Sequence, residues 1–538
     1  MTETSDPNRL NAIADPVRTG AIVVGAGVAG LATALRLAEH CAVTVVTASP
    51  LGEEAATGWA QGGIAAAMDP ADSPLSHAAD TLKAGAGLTD EAIARKVALA
   101  APDAVRWLEA LGTPFDRAAD GTLALGLEAG HSQRRIVRAG GDGTGRAVLD
   151  TLVRAARMTP AITLLEGVVA TALLKDAAGR IAGTLCRRIG GETFALAAPA
   201  VVLATGGIGA LYAETTNPPG ATASGLALAA RAGAVLSDVE FVQFHPTGIA
   251  VSHEAGEALP LATEALRGEG AILLNSKGER FMNGIEGREL APRDVVARAI
   301  FAERAKGETV FLDATHLGPE IATRFPTVTA LCRAKGIDPA REPIPVTPAA
   351  HYHMGGIEVD ERGRASLSGL WAAGECASTG LHGANRLASN SLVEALAFAG
   401  WIAADIVGEA EAATRAPLVL AGAPLASPKA EASLTAVQIV RRIMADRVGV
   451  SRDEAGLIDA IETLLPLAEN GHASAEIGLA IAICALERRE SRGGHYRSDW
   501  PYRMNAAHSD VTLPEAIQKA KALSADRSIA DETALAAR

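Results

Sequence analysis

Arg386 stands in the run GLHGANRLASNSLVEAL, Gly380 to Leu396, among glycines, alanines and serines just ahead of an apolar, helix-like segment. A surface arginine keeps its head in water and lays its stem on apolar neighbours, so it needs no such setting. Small residues on both sides instead let another chemical group approach the backbone beside a fixed positive charge. A second run, GAGVAG, sets Gly25, Ala26, Gly27 and Gly30 in the spacing G-x-G-x-x-G. It follows the β-branched run AIVV and opens an Ala/Leu-rich stretch, which is the strand, turn and helix context this motif requires. The first glycine makes the tight turn, the second admits a pyrophosphate, and the third lets helix and strand pack closely, with the helix N-terminus facing the negative charge. The chemistry on offer is thus dinucleotide binding in one place and anion binding in another.

The elements that must position these residues follow from the apolar pattern. GAIVVGAGVAGLATALRLAEHCAVTVVTAS, Gly20 to Ser49, predicts one βαβ unit. AAPAVVLATGGIGALY, Ala197 to Tyr212, predicts a further buried strand ending in paired glycines, and GLWAAGECA, Gly369 to Ala377, another strand end. All three glycine turns belong at the C-terminal edge of a parallel sheet, where such sheets bind ligands. The second strand ends in Thr47, where an acidic residue usually holds the ribose hydroxyls. Glu375 offers a carboxylate from the late turn instead, which favours FAD over NAD. The stretch from about Phe244 to Pro345 lies between two sheet pieces and reads as an inserted domain. Ala413 to Ser433 has the Pro/Ala/Gly content of a linker, and helical patterns such as ASLTAVQIVRRIMADRVGV follow it.

The chain has 538 residues, which predicts two or three domains. Its 49% hydrophobic and 21% charged residues describe a globular enzyme of cytoplasmic type. A formal net charge of -13 argues against nucleic acid as the main partner, so an anionic substrate needs locally placed cations. The five cysteines form no CxxC pair, so neither a disulfide framework nor a metal site is expected. Met1 to Gly20 lacks the basic and apolar regions of a signal peptide. No segment reaches the roughly twenty apolar residues of a membrane helix, so no membrane is expected.

Further motifs extend the pattern along the chain: WAQGGIAA (Trp59 to Ala66), QFHPTGI (Gln243 to Ile249), TEALRGEGAILLN (Thr263 to Asn275), ERFM (Glu279 to Met282), RDVVARAI (Arg293 to Ile300), HYHMGG (His351 to Gly356) and ERRESRGGHYRSDWP (Glu487 to Pro501). With the two runs above, they make the chain resemble the succinate dehydrogenase and fumarate reductase flavoprotein family over nearly its whole length. The resemblance implies an α/β FAD-binding Rossmann-like domain in two segments, 1–243 and 345–412. It also implies an inserted α+β capping domain at 244–344 and a C-terminal helical domain at 430–538. By the same resemblance His245, Thr263, Glu264, Arg293, His351 and Arg386 line a dicarboxylate site, with His245, His351 and Arg293 as its catalytic members. Gly25, Ala26, Gly27, Gly30, Thr57, Gln61, Gly62, Gly63, Glu375, Ser391 and Leu392 would hold the cofactor, the last two near the flavin ring.

Those residue types suit that chemistry, because arginine grips a carboxylate with two parallel hydrogen bonds while staying protonated. In this family the arginine matching Arg293 shuttles a proton during fumarate reduction. Taken alone, Arg293 would be a helix-start arginine in a salt bridge, and His245 and His351 structural histidines.

Two features separate the branches of the family. Respiratory members carry FAD on a histidine five residues before the Ala-Gln-Gly-Gly run, but EEAATGWAQGG, Glu53 to Gly63, contains no histidine, so noncovalent FAD is expected. GLEAGHSQRRIV, Gly126 to Val137, resembles the glutamate-bearing segment of the branch that oxidises L-aspartate. Glu128 would then pair with a substrate ammonium that succinate and fumarate lack, since a buried carboxylate without compensation is costly. The bland alternative pairs Glu128 with Arg134 or Arg135. The resemblance implies oxidation of L-aspartate to iminoaspartate, with the flavin reoxidised by oxygen, giving hydrogen peroxide, or by fumarate, giving succinate. It places that reaction first in NAD biosynthesis, beside quinolinate synthase. The alternative is a soluble fumarate reductase or succinate dehydrogenase-like flavoprotein.

Overall fold

The computed structural model describes residues 16–252, 257–409, 418–425 and 434–536. The signal-peptide reading of Met1 to Gly20 and the linker reading of Ala413 to Ser433 lie largely outside them.

Five parallel strands form the central sheet, in the order Leu370–Ala372, Val201–Leu203, Ala21–Val24, Val43–Thr47 and Ile162–Glu166. The strand Ala21–Val24 is buried along its whole length, which explains an unbroken apolar run rather than an alternating one. The three glycine turns do gather at one edge: Gly25, Gly206 with Gly207, and Gly374 follow within four residues on neighbouring strands. Gly25 has φ +112°, and a Cβ there would stand 2.1 Å from the Ala204 carbonyl. A Cβ on Gly30 would stand 2.0 Å from the Gly25 carbonyl, so this glycine is what seats the helix Val28–Leu37 against its strand. The helix Asn390–Gly408 packs against Val28–Leu37 and Glu91–Ala110. Contrary to the expectation from sequence, it is long and apolar enough to cross a bilayer; its apolar character matches its burial inside the protein.

A second five-stranded sheet joins Val17–Arg18, Thr193–Ala197, Ile181–Arg188, Val168–Lys175 and Val419–Leu420. A four-stranded antiparallel sheet follows the order Val242–Ile249, Ile344–His353, Val310–Asp313 and Ile272–Asn275, with the helix Arg293–Ala305 packed against it and its own apolar core around Leu273, Ile300 and Leu312. The edges expected at 243/244 and 344/345 both fall inside strands, because Val242–Ile249 and Ile344–His353 pair with each other and run unbroken through those positions. Helices Leu434–Arg447, Glu454–Glu469, Ala473–Glu487 and Leu513–Ala536 make the C-terminal part. Ala473–Glu487 is apolar nearly all round and buried from Ala475 to Ala485; its one charge there, Glu476, accepts from Arg231 Nε at 2.8 Å.

Candidate active site

One cavity of about 1190 Å³ runs from the first glycine turn to Arg386. Every site residue expected from sequence lies on its wall except Gly30, which packs helix to strand behind it. At one end the wall is rich in glycine backbone, from Gly25 and Gly27 to Gly62, Gly63, Gly206 and Gly207. Gly27 faces Thr57, whose hydroxyl accepts from the Val28 amide at 3.1 Å and so fastens the Ala56–Trp59 turn to the start of the helix. Gly63 lies so close to the strand Ile136–Val137 that a Cβ would stand 2.3 Å from the Val137 carbonyl. Gln61 donates to the Leu261 carbonyl at 2.9 Å, and its Oε1 is buried without a partner.

The residues present fit FAD. The volume suits a dinucleotide, the glycines leave the approach that a Cβ would close, and Glu375 offers an acceptor with too few donors. Burial pushes the Glu375 carboxyl up to about 7, against the His353 amide at 3.1 Å and the Arg386 charge. Polyol hydroxyls are the donors such a group lacks.

The other end is built from charge. The strand Val242–Ile249 carries Gln243 and His245, and its register shifts between Gln243 and Phe244 and again between His245 and Gly248. Such bulges re-aim side chains beside a site. The partner strand Ile344–His353 brings His351 and Tyr352. Thr263 caps the short helix Glu264–Gly268, and Arg293 opens the helix Arg293–Ala305 after Pro292. Arg386 comes from the loop before Asn390–Gly408, whose first turn follows Ser389 at φ +61°.

Gln243 ties these pieces together. Its Oε1 accepts from Arg293 Nη1 at 3.1 Å and from Arg386 Nη2 at 3.2 Å, while its Nε2 donates to Asn385 Oδ1 and to the Arg386 carbonyl at 2.9 Å. Arg293 Nε also donates to Glu264 Oε2, and Arg267 Nη2 lies 3.3 Å from Glu264 Oε1. The salt-bridge reading of Arg293 is therefore true of its geometry, and the same residue still faces the cavity. Arg386 donates to Ser391 Oγ at 3.2 Å, lies 4.4 Å over the Tyr352 ring, and keeps a buried Nε without a partner.

Electrostatics sharpen this picture. Burial and the neighbouring Arg293 charge lower Arg386 to about 10, which leaves it cationic at neutral pH. Burial pushes Glu264 upward, but Arg293 and Arg267 outweigh it and hold the carboxyl below its ordinary value. His245 and His351 meet edge to face with ring centroids 5.0 Å apart. The His351 Nδ1 lies 2.8 Å from Thr216 Oγ1, and the His245 Nδ1 lies 3.3 Å from the amide and hydroxyl of Thr247. Burial, then the arginine charges, hold both histidines well below their usual range, so both are neutral at pH 7. Arginines without enough carboxylate partners make this end a receptor for anions.

Glu128 is a second carboxylate here, and unlike Glu264 it has no close bond to an arginine. It is buried, accepts from Ser389 Oγ at 2.7 Å, and has Arg138 Nη2 3.5 Å from its other oxygen. The expected partners Arg134 and Arg135 are not used: Arg134 is exposed, and Arg135 is fully buried on Asp72 and Asp80. Gln243, Tyr352 and Asn385 were not singled out from sequence. Gln243 had a signal, since it stands two residues before His245 on a strand, the spacing that shares one face.

Comparisons with known proteins agree with the geometry. An FAD binding domain family matches residues 20–392, and the fumarate reductase flavoprotein C-terminal family matches residues 472–531. The chain is 51% identical over 507 residues to an L-aspartate oxidase of Mesorhizobium japonicum, covering 93% of this chain and 96% of that one. It is 51% identical over 491 residues to the L-aspartate oxidase of Agrobacterium fabrum, covering 90% and 92%. Among solved structures, a quinol fumarate reductase chain of E. coli superposes with a TM-score of 0.84 at 29% identity, over 92% of this chain and 94% of that one. The Mycobacterium smegmatis Sdh1 complex gives a TM-score of 0.77 at 33% identity, over 92% and 94%. With a glycine cradle shaped for FAD at one end of its cavity and an arginine cluster at the other, the chain belongs to the FAD-dependent fumarate reductase and succinate dehydrogenase flavoprotein family, and within it to the L-aspartate oxidases.

Proposed function

We propose that this chain oxidises L-aspartate to iminoaspartate. The observation that carries the reading is a buried carboxylate, Glu128, on the wall of the cavity, which has Arg138 only at 3.5 Å where the neighbouring Glu264 is bonded to Arg293. Aspartate carries two carboxylates and one ammonium, and this charge pattern is complementary to it. Arg386 clamps one carboxylate, its unpaired Nε being the donor left for that purpose. Thr263, His245 and His351 add donors, and Glu128 receives the ammonium. Glu264 orients Arg293 toward the reacting carbon, where its guanidinium holds or delivers a proton. FAD, when bound, supplies the two-electron acceptor; the glycine turn, Gln61, Gly62, Gly63, Ser391 and Leu392 would hold it, without a covalent link because Glu53 to Gly63 contains no histidine.

Electrons leave to oxygen, giving hydrogen peroxide, or to fumarate, giving succinate. The likeness to fumarate reductases supports the second acceptor, because fumarate has the two carboxylates that Arg386 and its neighbours fit. The imine product suits an enzyme that opens NAD biosynthesis and hands its product to quinolinate synthase. The division into a flavin domain (1–243 and 345–412), a capping domain (244–344) and a C-terminal helical domain (430–538) goes with this reading.

Glu128→Gln tests it. Losing one charge-assisted contact, about 1.5 to 3 kcal/mol, should cut aspartate oxidation roughly ten- to a hundredfold while fumarate reduction survives. Equal losses with both substrates would sink the reading and favour the alternative, a soluble fumarate reductase. That alternative also predicts no bleaching of the flavin by aspartate under anaerobic conditions.

A further inference from the structure

Glu128 has a companion that its role as an ammonium receptor does not explain. Arg138 Nη2 lies 3.5 Å from Glu128 Oε1, and the Glu128 side chain is 3% exposed against 23% for Arg138. Among the described residues this is the one cation within 4 Å of that carboxylate. Arg135 is spent on Asp72 and Asp80, Arg293 on Glu264 and Gln243, and Arg386 on Gln243 and Ser391. The path of Arg138 is built for this contact. Its guanidinium crosses Gly126, where an added Cβ would stand 2.8 Å from Cζ and 3.0 Å from Nη2, so any side chain there would push the arginine away. At 3.5 Å the pair is also longer than the 2.7–2.9 Å of a strong charge-assisted bond, which leaves Oε1 free to take a closer donor.

We propose that Arg138 is the resident counter-ion of Glu128 and sets the balance between amino-dicarboxylates and plain dicarboxylates in this cavity. The proposal rests on the reading of Glu128 given above. With Arg138 in place, the Glu128 charge is partly offset: an ammonium still finds an acceptor, and a dianion such as fumarate or succinate is not strongly repelled. Without Arg138 the full negative charge of Glu128 draws the ammonium and rejects the dianion. One arginine beside the Glu128 carboxylate thus lets a single site accept both an ammonium-bearing donor and a dianionic acceptor.

The test compares two non-reacting ligands on the FAD-loaded protein by perturbation of the flavin spectrum. Succinate is the dianion, and α-methylaspartate carries the ammonium but no α-hydrogen to lose. In Arg138→Gln the ratio of the succinate Kd to the α-methylaspartate Kd should rise about tenfold, equivalent to about 1.4 kcal/mol. Arg138→Lys, which keeps the charge, should retain the parent's ratio. Arg138→Met keeps the stem over Gly126 but not the charge, and repeats the measurement if the glutamine variant loses FAD. An unchanged ratio in the neutral variants, or both ligands weakening in step, overturns the proposal. Failure of the Glu128 reading is separable: in that case Glu128→Gln also leaves the ratio unmoved, whereas a ratio moved by Glu128→Gln and not by Arg138→Gln removes Arg138 alone.

Discussion

The two ends of the cavity are made by opposite means. At the glycine end much of the wall is glycine backbone, and part of its design lies in side chains that are missing: a single carbon on Gly25 would stand 2.1 Å from the Ala204 carbonyl. At the arginine end the wall is charged side chains, and its design lies in their balance, with Gln243 Oε1 shared between Arg293 and Arg386. Steric exclusion is short-ranged, so one glycine supplies it wherever another strand crosses closely, as Ala204 does at Gly25. Charge balance needs groups of both signs brought together out of water, so distant segments must supply it. The ends should therefore fail differently, the first by losing cofactor and the second by losing turnover with cofactor still bound.

Arg293→Leu presses hardest on that contrast. It removes a charge from the reacting centre and leaves Glu264 with Arg267 alone, so aspartate oxidation and fumarate reduction should both fall about a thousandfold or more. The flavin spectrum should stay intact; loss of flavin in this variant would show that the ends are not independent.

Arg386→Leu should act on binding rather than on one chemical step. Its proposed clamp is worth about 1.5 to 3 kcal/mol, so the succinate Kd, read from the flavin spectrum, should rise roughly ten- to a hundredfold. An unchanged Kd would assign Arg386 to holding Gln243 and Ser391 in place and nothing more.

The smallest effect belongs to the cofactor end. Glu375→Gln keeps an acceptor for the His353 amide but loses the charge, and FAD affinity should drop about tenfold by equilibrium dialysis. The same variant carries a pH signature in the FAD-free protein. The Glu375 carboxyl is raised to about 7 in the fold, above its ordinary carboxylate value, so its contribution is present at low pH and is lost as pH rises through about 7. The melting temperature of the parent should decline between pH 5.5 and 8 more than that of Glu375→Gln; parallel curves would contradict the buried, ionisable carboxyl.

The glycine end was legible almost completely. Gly25, Gly27 and Gly30 announced a turn by their spacing between a β-branched run and an Ala/Leu-rich stretch, and the strand ends at Leu203 and Ala372 delivered their glycines to the same edge. Thr57 and Gln61 came only through their motif, and the structure gives each a contact that motif reading did not supply, the Val28 amide and the Leu261 carbonyl. At the other end the arginines and histidines could be named, but their connections could not. Gln243 sat inside a quoted motif without being marked, because an amide's value depends on which donors and acceptors surround it.

What the sequence determined by itself is what depends on near neighbours: the βαβ turn, the apolar strands, the absence of a histidine before Gln61, and the residue types of an anion site. What only the tertiary structure decided is partnership. Glu128 meets Ser389 across 261 positions of chain and Arg138 rather than Arg134 or Arg135. On the short strand Ile136–Val137 successive side chains alternate in direction, and Arg135, at its edge, is consumed by Asp72 and Asp80 on another part of the chain. Coulomb energy follows distance and burial, and neither can be read along a chain until the fold has closed.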